Sequence, residues 1–282
     1  VTGARILVID GNVAEIRARQ AAALGYDSGT GYARILERLD ATLRVDVLTA
    51  ADGATLPPGV GLDSYDGVAM TGSALNVYHG GAPVARQIEL AKAVFAAGVP
   101  FFGSCWGLQI AVTAAGGEVR ANPRGREFGF ARRILLTEAG HGHPLFAGKP
   151  AVFEAPTVHR DEIATLPPGA TVLADNDFGL QAAAFTQERG TFWGVQYHPE
   201  YDYADIAAAA ERYGQILVED GLFHDSAALA AFAADLRALQ AHPGDAALRW
   251  KYGLGPCLAD EALRLREIRN WLQSLRVPAR RA

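Results

Sequence analysis

Val99-Pro100-Phe101-Phe102-Gly103-Ser104-Cys105-Trp106-Gly107-Leu108-Gln109 decides the reading of this chain. Its first four residues have the length of a buried strand, and from Trp106 to about Ala115 the pattern is that of an apolar helix. Between them lies a cysteine with a glycine two residues before it and another two residues after. This is G-x-C-x-G, the thiol counterpart of the G-x-S-x-G elbow that joins a strand to a helix. The wider stretch from Ala93 to Gly117 carries no charged residue and is long enough, on paper, to span a bilayer. Gly98, Pro100, Gly103 and Gly107 interrupt any continuous helix, and Ser104 and Gln109 would be stranded in lipid, so helix end, strand, turn and second helix is the better reading.

Outward from the elbow, Ala4–Asp10, Val45–Thr49 and Tyr65–Thr71 are short apolar runs with helical material between them. Pro83–Ala97 has the spacing of a helix packed on a sheet. Short buried strands alternating with helices predict an α/β fold, an open and mostly parallel twisted sheet with helices on both faces. After Gly117 the texture changes. Glu127–Thr137, Ala151–Val158, Thr171–Ala174, Leu180–Phe185 and Thr191–Tyr197 read as strands, the last two as a hairpin. From Tyr203 the pattern turns helical, with helices expected over Ala207–Leu217, Ala227–Gln240 and Glu261–Leu275.

Composition narrows the function classes. Of 282 residues 50% are hydrophobic and 20% charged, the range of a folded globular chain. A net charge of -5 offers no basic field, so nucleic acid and anionic membrane are poor partners. Two cysteines, Cys105 and Cys257, build no disulfide framework, which favours a reducing, cytoplasmic setting. The N-terminal apolar run is too short for a signal-peptide core.

The elbow carries chemistry. A nucleophile on a sharp strand-to-helix turn stands clear of the sheet edge, and the following helix aims its N-terminal amides at the thiol. That positive end favours thiolate, and the Trp106 amide can serve an oxyanion. Taken alone, the segment reads equally well as a buried cysteine in a glycine-rich turn. A second segment, Trp193-Gly194-Val195-Gln196-Tyr197-His198-Pro199-Glu200, ends an apolar strand with a histidine and an acid. A cysteine needs a base, and the base an orienting carboxylate. Alone, this segment reads as a surface histidine and a helix-capping glutamate.

Together, Gly103–Gln109 and Tyr197–Glu200 resemble the class I (triad) glutamine amidotransferase family, over roughly Arg5 to Asp202. The resemblance implies a flavodoxin-like sheet and a Cys-His-Glu triad. Cys105 would be the nucleophile, His198 the general base and then acid, and Glu200 the group that orients His198. It implies an oxyanion hole from Trp106 and from Gly72 or Ser73, in the run Tyr65–Ser73. Gln109 matches the residue that contacts the substrate's amino-acid end, and Val158 and His159 lie where the family holds that end through main-chain groups. His159-Arg160-Asp161-Glu162 is close to the GMP-synthase branch. The implied reaction is hydrolysis of the glutamine side-chain amide through a cysteine γ-glutamyl thioester.

The chain departs from that branch in lacking S-G-G-x-D-S or a Walker-type phosphate loop, and about 80 residues after Glu200 are too few for a synthase module. Ammonia would therefore be expected to go to a separate partner synthase or to solvent. The alternative is a stand-alone hydrolase of γ-glutamyl peptides or γ-glutamyl amines using the same triad. Residues 1–202 are expected to form the α/β domain and 203–282 a helical extension packed on it. Leu263, Leu265, Ile268, Trp271, Leu272 and Leu275 form an apolar face read as a helix packed within the fold or as a docking surface for a partner or a second copy. Arg264, Arg266 and Arg269 are expected to solvate its outer side. Tyr26–Tyr32 reads as a surface loop, with a lid or pocket wall as the alternative, and the Trp106 ring as narrowing the pocket or packing on the sheet. No cofactor is implied, and His141 and His143 make no convincing metal-ligand set. The tail Arg276–Ala282 is expected to fray.

Overall fold

The computed structural model describes residues 3–276; the tail expectation, beyond Arg276, lies outside them. The first half runs β1 (Arg5–Ile9), α1 (Ala14–Leu24), α2 (Ser28–Leu39), β2 (Arg44–Leu48), β3 (Gly67–Met70), α3 (Ala82–Ala97), β4 (Phe101–Ser104) and α4 (Trp106–Ala114). Then come β5 (Glu118–Ala121), β6 (Glu127–Leu136), a short α5 (Glu138–Gly142), β7 (Val152–His159), β8 (Asp161–Thr165), β9 (Thr171–Asn176), β10 (Gly179–Gln187) and β11 (Gly190–Val195). The chain closes with α6 (Tyr203–Tyr213), α7 (Gln215–Glu219), α8 (Ser226–Ala241), α9 (Ala246–Lys251), α10 (Pro256–Ala259), α11 (Glu261–Arg264) and α12 (Arg266–Ser274).

The main sheet has the order β2-β1-β3-β4-β11-β10-β9-β6-β7. From β2 to β11 the pairs are parallel; from β11 onward they are antiparallel. The expected alternation of strand and helix yields the parallel half, and the strand-rich texture after Gly117 the antiparallel arm. Strands β5 and β8, which the sequence pattern does not announce, pair as a small separate sheet.

Alternation along the strands explains why both sheet faces are covered. Ile6, Val8, Ala69 and Phe102 enter one core with Tyr32 and Leu36 of α2 and Ile268, Trp271 and Leu272 of α12. Leu7, Ile9, Val68, Met70 and Phe101 enter the other with Val84, Val94 and Phe95 of α3 and Leu108 and Val112 of α4. The apolar face of the C-terminal helix is thus buried against the sheet; Leu265, Ile268 and Trp271 are fully enclosed. That corrects its reading as a docking surface. Helices α6 and α8 bury a third core against Val158 of β7.

Three local expectations change. The helix expected over Ala207–Leu217 breaks at Gly214, whose φ of 46° ends α6 before α7 begins. The one expected over Glu261–Leu275 divides at Leu265 into α11 and α12. Tyr26–Tyr32 is not a surface loop: Asp27 caps α2 by accepting from the Thr30 amide at 2.8 Å, and Tyr32 is buried.

Candidate active site

Strand register brings the two sequence segments together. β4 lies between β3 and β11, with Met70 beside Gly103 and Val195 beside Ser104. The chain then leaves the sheet at the carboxyl ends of all three strands, where α/β sheets place their ligands. Cys105 and Gln196 are the next residues out along this edge, and Gly72 follows Thr71 beyond β3.

Cys105 has φ 50° and ψ -97° and caps α4. A non-glycine residue held there stores about 1–3 kcal/mol of strain. Close packing enforces the turn. A Cβ on Gly103 would lie 2.4 Å from the Gly107 carbonyl carbon, and one on Gly107 2.6 Å from the Met70 oxygen. Glycine at both flanks lets α4 fold back onto β3 and β4. The Cys105 amide also donates to the Val195 carbonyl at 2.7 Å, tying the elbow to β11.

The sulfur is enclosed. Sγ lies 3.8 Å from the Val158 carbonyl oxygen, and the Gln196 side-chain amide donates to it at 3.5 Å. Burial pushes the thiol above its ordinary range, the carboxylates of Asp161 and Glu200 push the same way, and the Trp106 amide and Gln196 oppose them. The expectation that the helix end favours thiolate holds in direction for the Trp106 amide and fails in magnitude.

His198 and Glu200 meet as expected: Nδ1 lies 2.7 Å from Glu200 Oε1, both buried. The imidazole stacks on Tyr201, with centroids 4.1 Å apart and planes within 9°. Its other side abuts Gly72, where a Cβ would approach Cε1 to 2.4 Å. With Nδ1 engaged, Nε2 is the free ring nitrogen. Gly72, Ser73, Val158 and His198 line one crevice. Among the described residues the amides of Gly72 and Ser73 donate to no partner, and Gln109 is buried on the first turn of α4 without a side-chain hydrogen bond.

The remaining expected residues separate. Val158 faces the sulfur through its carbonyl. His159 turns its ring away, with Nε2 2.8 Å from Glu127 Oε2 and Nδ1 2.9 Å from the Asp161 carbonyl, inside a buried polar network. The ring is thus engaged elsewhere; the resemblance implied a role for the main chain of His159 alone. The Trp106 ring is fully buried and donates to Gln87 Oε1 at 2.9 Å, so it packs on the sheet and does not narrow the crevice.

Sequence reasoning missed four neighbours. Gln196 touches the sulfur, and Tyr201 supports the imidazole. Asp161 is buried beside the site, accepting from Asn76 at 2.7 Å and Tyr78 at 2.9 Å. Arg264 is buried, not on an outer face, and reaches back to the loop that bears Glu200. Asp161 stands in the quoted His159–Glu162 run, Gln196 in the quoted Trp193–Glu200 segment and Tyr201 just after it; Arg264 is joined to the site only through space. A cavity of about 240 Å³ adjoins Glu200, walled by Tyr26, Tyr32, Ile35, Asp205 and Arg264. Burial, and the neighbouring Asp202 carboxylate, raise the Asp205 carboxyl there. Among the described residues no cluster of three or more His, Cys, Asp or Glu is placed to hold a metal, and no helix is long and apolar enough to cross a membrane.

Comparison with known proteins agrees with this geometry. Residues 27–207 match the family model described as glutamine amidotransferase class-I. A γ-glutamyl-L-1-hydroxyisopropylamide hydrolase of a Pseudomonas species is 39% identical over 225 residues, 78% of this chain and 75% of that protein. The glutamine-hydrolysing GMP synthase of Streptomyces avermitilis is 34% identical over 62% of this chain but only 31% of its own length. A solved glutamine amidotransferase from Thermotoga maritima superposes with a TM-score of 0.66 at 18% identity, covering 96% of this chain and 97% of that one, which supports the fold. The chain is a cysteine-hydrolase-type enzyme, and it belongs to the class I glutamine amidotransferase family.

Proposed function

We propose that this enzyme hydrolyses γ-glutamyl amides of small amines, with glutamine as the simplest such amide. The observation that carries the reading is the hydroxyisopropylamide hydrolase relative, which this chain matches over most of both lengths. GMP synthases correspond over about a third of their length, so their similarity supports only the shared glutaminase chemistry. Residues 1–202 would supply the catalytic α/β domain, and the helices from residue 203 would complete it.

In this reading the substrate's γ-carbonyl sits between Cys105 and the unpartnered amides of Gly72 and Ser73. Sγ attacks the carbonyl carbon as its proton passes to His198 Nε2, and Glu200 Oε1 steadies the imidazolium at Nδ1. The oxyanion takes hydrogen bonds from the Trp106 amide and from Gly72 or Ser73; losing one such donor typically costs about 100- to 1000-fold in rate. The carbon–nitrogen bond breaks as Nε2 returns the proton to the departing amine. Water, deprotonated by the same nitrogen, then cleaves the thioester to free glutamate and the thiol. Gln109 and the main chain of Val158 and His159 would hold the amino-acid end. The raised thiol fits a proton transfer concerted with attack, since a standing thiolate is disfavoured.

The test is steady-state turnover of γ-glutamyl alkylamides beside glutamine. The expected result is a higher kcat/KM for an alkylamide, with Cys105→Ala losing about 1000-fold or more on both. Turnover of glutamine alone, and only when an ATP-dependent synthase is added, would favour ammonia delivery to a partner. Activity surviving in Cys105→Ala would end both readings.

A further inference from the structure

The loop that carries His198 and Glu200 follows the last ladder bond of β11 and precedes α6. Few main-chain bonds of its own hold it: the His198 amide donates to Pro156 at 2.8 Å and the Tyr201 amide to the His198 carbonyl at 3.1 Å. Further ties come from the C-terminal helices. Arg264 Nη1 donates to the Pro199 carbonyl at 2.9 Å and to the Tyr201 carbonyl at 2.6 Å, the two residues flanking Glu200. Tyr197, just before His198, donates its hydroxyl to Glu267 Oε1 at 2.5 Å. Glu267 is fully buried and is neutralised by Lys149, which lies 2.9 Å from Oε1.

We infer that Arg264 is a positioning residue for the His198–Glu200 pair, so that the C-terminal helices are part of the working active site. The inference rests on the roles given above to Cys105, His198 and Glu200. A buried guanidinium costs desolvation, and burial draws the Arg264 proton affinity down despite Asp202 and Glu261. Two charge-assisted bonds to neutral carbonyls offset that cost only where the geometry is fixed. The two N–H bonds of Nη1, held in the guanidinium plane, set the spacing of the two carbonyls, and with it where the Glu200 side chain leaves the backbone. Oε1 then meets Nδ1 of an imidazole already confined between Tyr201 and Gly72. Neither residue of this clamp hydrogen-bonds to Cys105, His198 or the Glu200 carboxylate. Arg264 acts through the main chain on either side of Glu200, and Glu267 through Tyr197.

Three variants of the full chain test the assignment. Arg264→Met keeps the stem and removes the guanidinium. Its kcat should fall about 10- to 100-fold, the scale of a displacement of about 1 Å. KM should stay within about threefold, because Gln109, Val158 and Gly72 are untouched. Arg264→Lys, whose ammonium sits on a shorter stem and lacks N–H bonds fixed in a plane, should fall between parent and Arg264→Met. Asn270→Ala removes two bonds from α12 to the Leu145 and Ala147 carbonyls, remote from the loop, and controls for loosening of the extension. It should lower the thermal midpoint and leave kcat within about twofold. If Arg264→Met does not fold, Arg264→Lys against Asn270→Ala carries the same comparison.

Full kcat in either Arg264 variant, with Cys105→Ala inactive, overturns the assignment and leaves the Cys105 reading standing. So does a loss of kcat in Asn270→Ala equal to that of an Arg264 variant at matched thermal midpoint. Turnover surviving in Cys105→Ala overturns both together.

Discussion

At the scale of the residue, the site depends on where side chains are missing as much as on where they are. Gly72 leaves the space that the His198 ring occupies; a methyl there would press on Cε1 at 2.4 Å. Gly72→Ala should therefore displace the imidazole and lower kcat about 100-fold. The loss of global stability should be smaller, about 1–3 kcal/mol, as expected of a tight overpacking. Kinetics and urea unfolding on one preparation separate the two effects, and unchanged kcat would contradict the placement of His198. Cys105, His198 and Glu200 were legible because each sits in a short contiguous pattern whose spacing has a chemical reason. Gln196 was in plain view on the same strand, yet nothing about an isolated glutamine signals a bond to sulfur. Arg264 was misread because its neighbours along the chain alternate like a solvated helix face. Its partners, the carbonyls of Pro199 and Tyr201, lie some sixty residues away and carry no side-chain signature.

At the scale of the element, strands and helices bordering the elbow were legible from apolar run length, because buried parallel strands have no solvent face to dilute the signal. The β5–β8 pair was not, since its strands mix exposed charged residues with few apolar ones. Helix α12 shows what packing adds to pattern. Its apolar stripe was visible, but whether it faced a partner or the chain's own sheet depended on an open place on that sheet. Trp271 fills the place, 5.7 Å from the Phe102 ring between centroids. Glu267 on the same helix is the costlier element to lose. Glu267→Ala leaves Lys149, 1% exposed, as an uncompensated buried charge, and strips the Tyr197 hydroxyl of its acceptor. Removing one partner of a buried pair typically costs about 3–5 kcal/mol. Chemical unfolding should reveal a loss of that size. The double variant Lys149→Met/Glu267→Leu should recover much of it, since no charge is then left unpaired. A double variant no better than the single one would refute the pairing as the cause.

At the scale of the molecule, Asp10, just past the end of β1, joins that strand to β2 and α2. Its amide donates to Leu48 of β2 at 3.0 Å, Oδ1 accepts from the Asn12 amide at 2.9 Å, and Oδ2 accepts from the Gly29 amide in α2 at 2.7 Å. Those bonds favour the charged form, yet burial outweighs them and raises the carboxyl from 3.8 to about 6. The sign for stability follows from linkage. A raised folded value means that the native state holds the proton more tightly than the unfolded chain. The associated stability is therefore fully present below about pH 4 and is lost as pH rises through about 6. The loss amounts to about 3 kcal/mol for a shift of this size. Other carboxylates pull the opposite way: Asp52 and Asp235 are lowered by their hydrogen bonds and stabilise the protein only while ionised. The whole-protein curve therefore mixes both signs, and a difference measurement isolates Asp10. Asp10→Asn replaces one acceptor by a donor, a penalty of about 1–3 kcal/mol that does not vary with pH. Urea unfolding of parent and variant from pH 4 to pH 7 should then give curves that converge as pH rises. The gap should close or change sign, moving by about 2 kcal/mol over this window, as the parent alone must hold a buried charge. Parallel curves would mean that Asp10 is solvated in the folded protein, and that the junction of β1, β2 and α2 beside the site is looser than its hydrogen bonds imply.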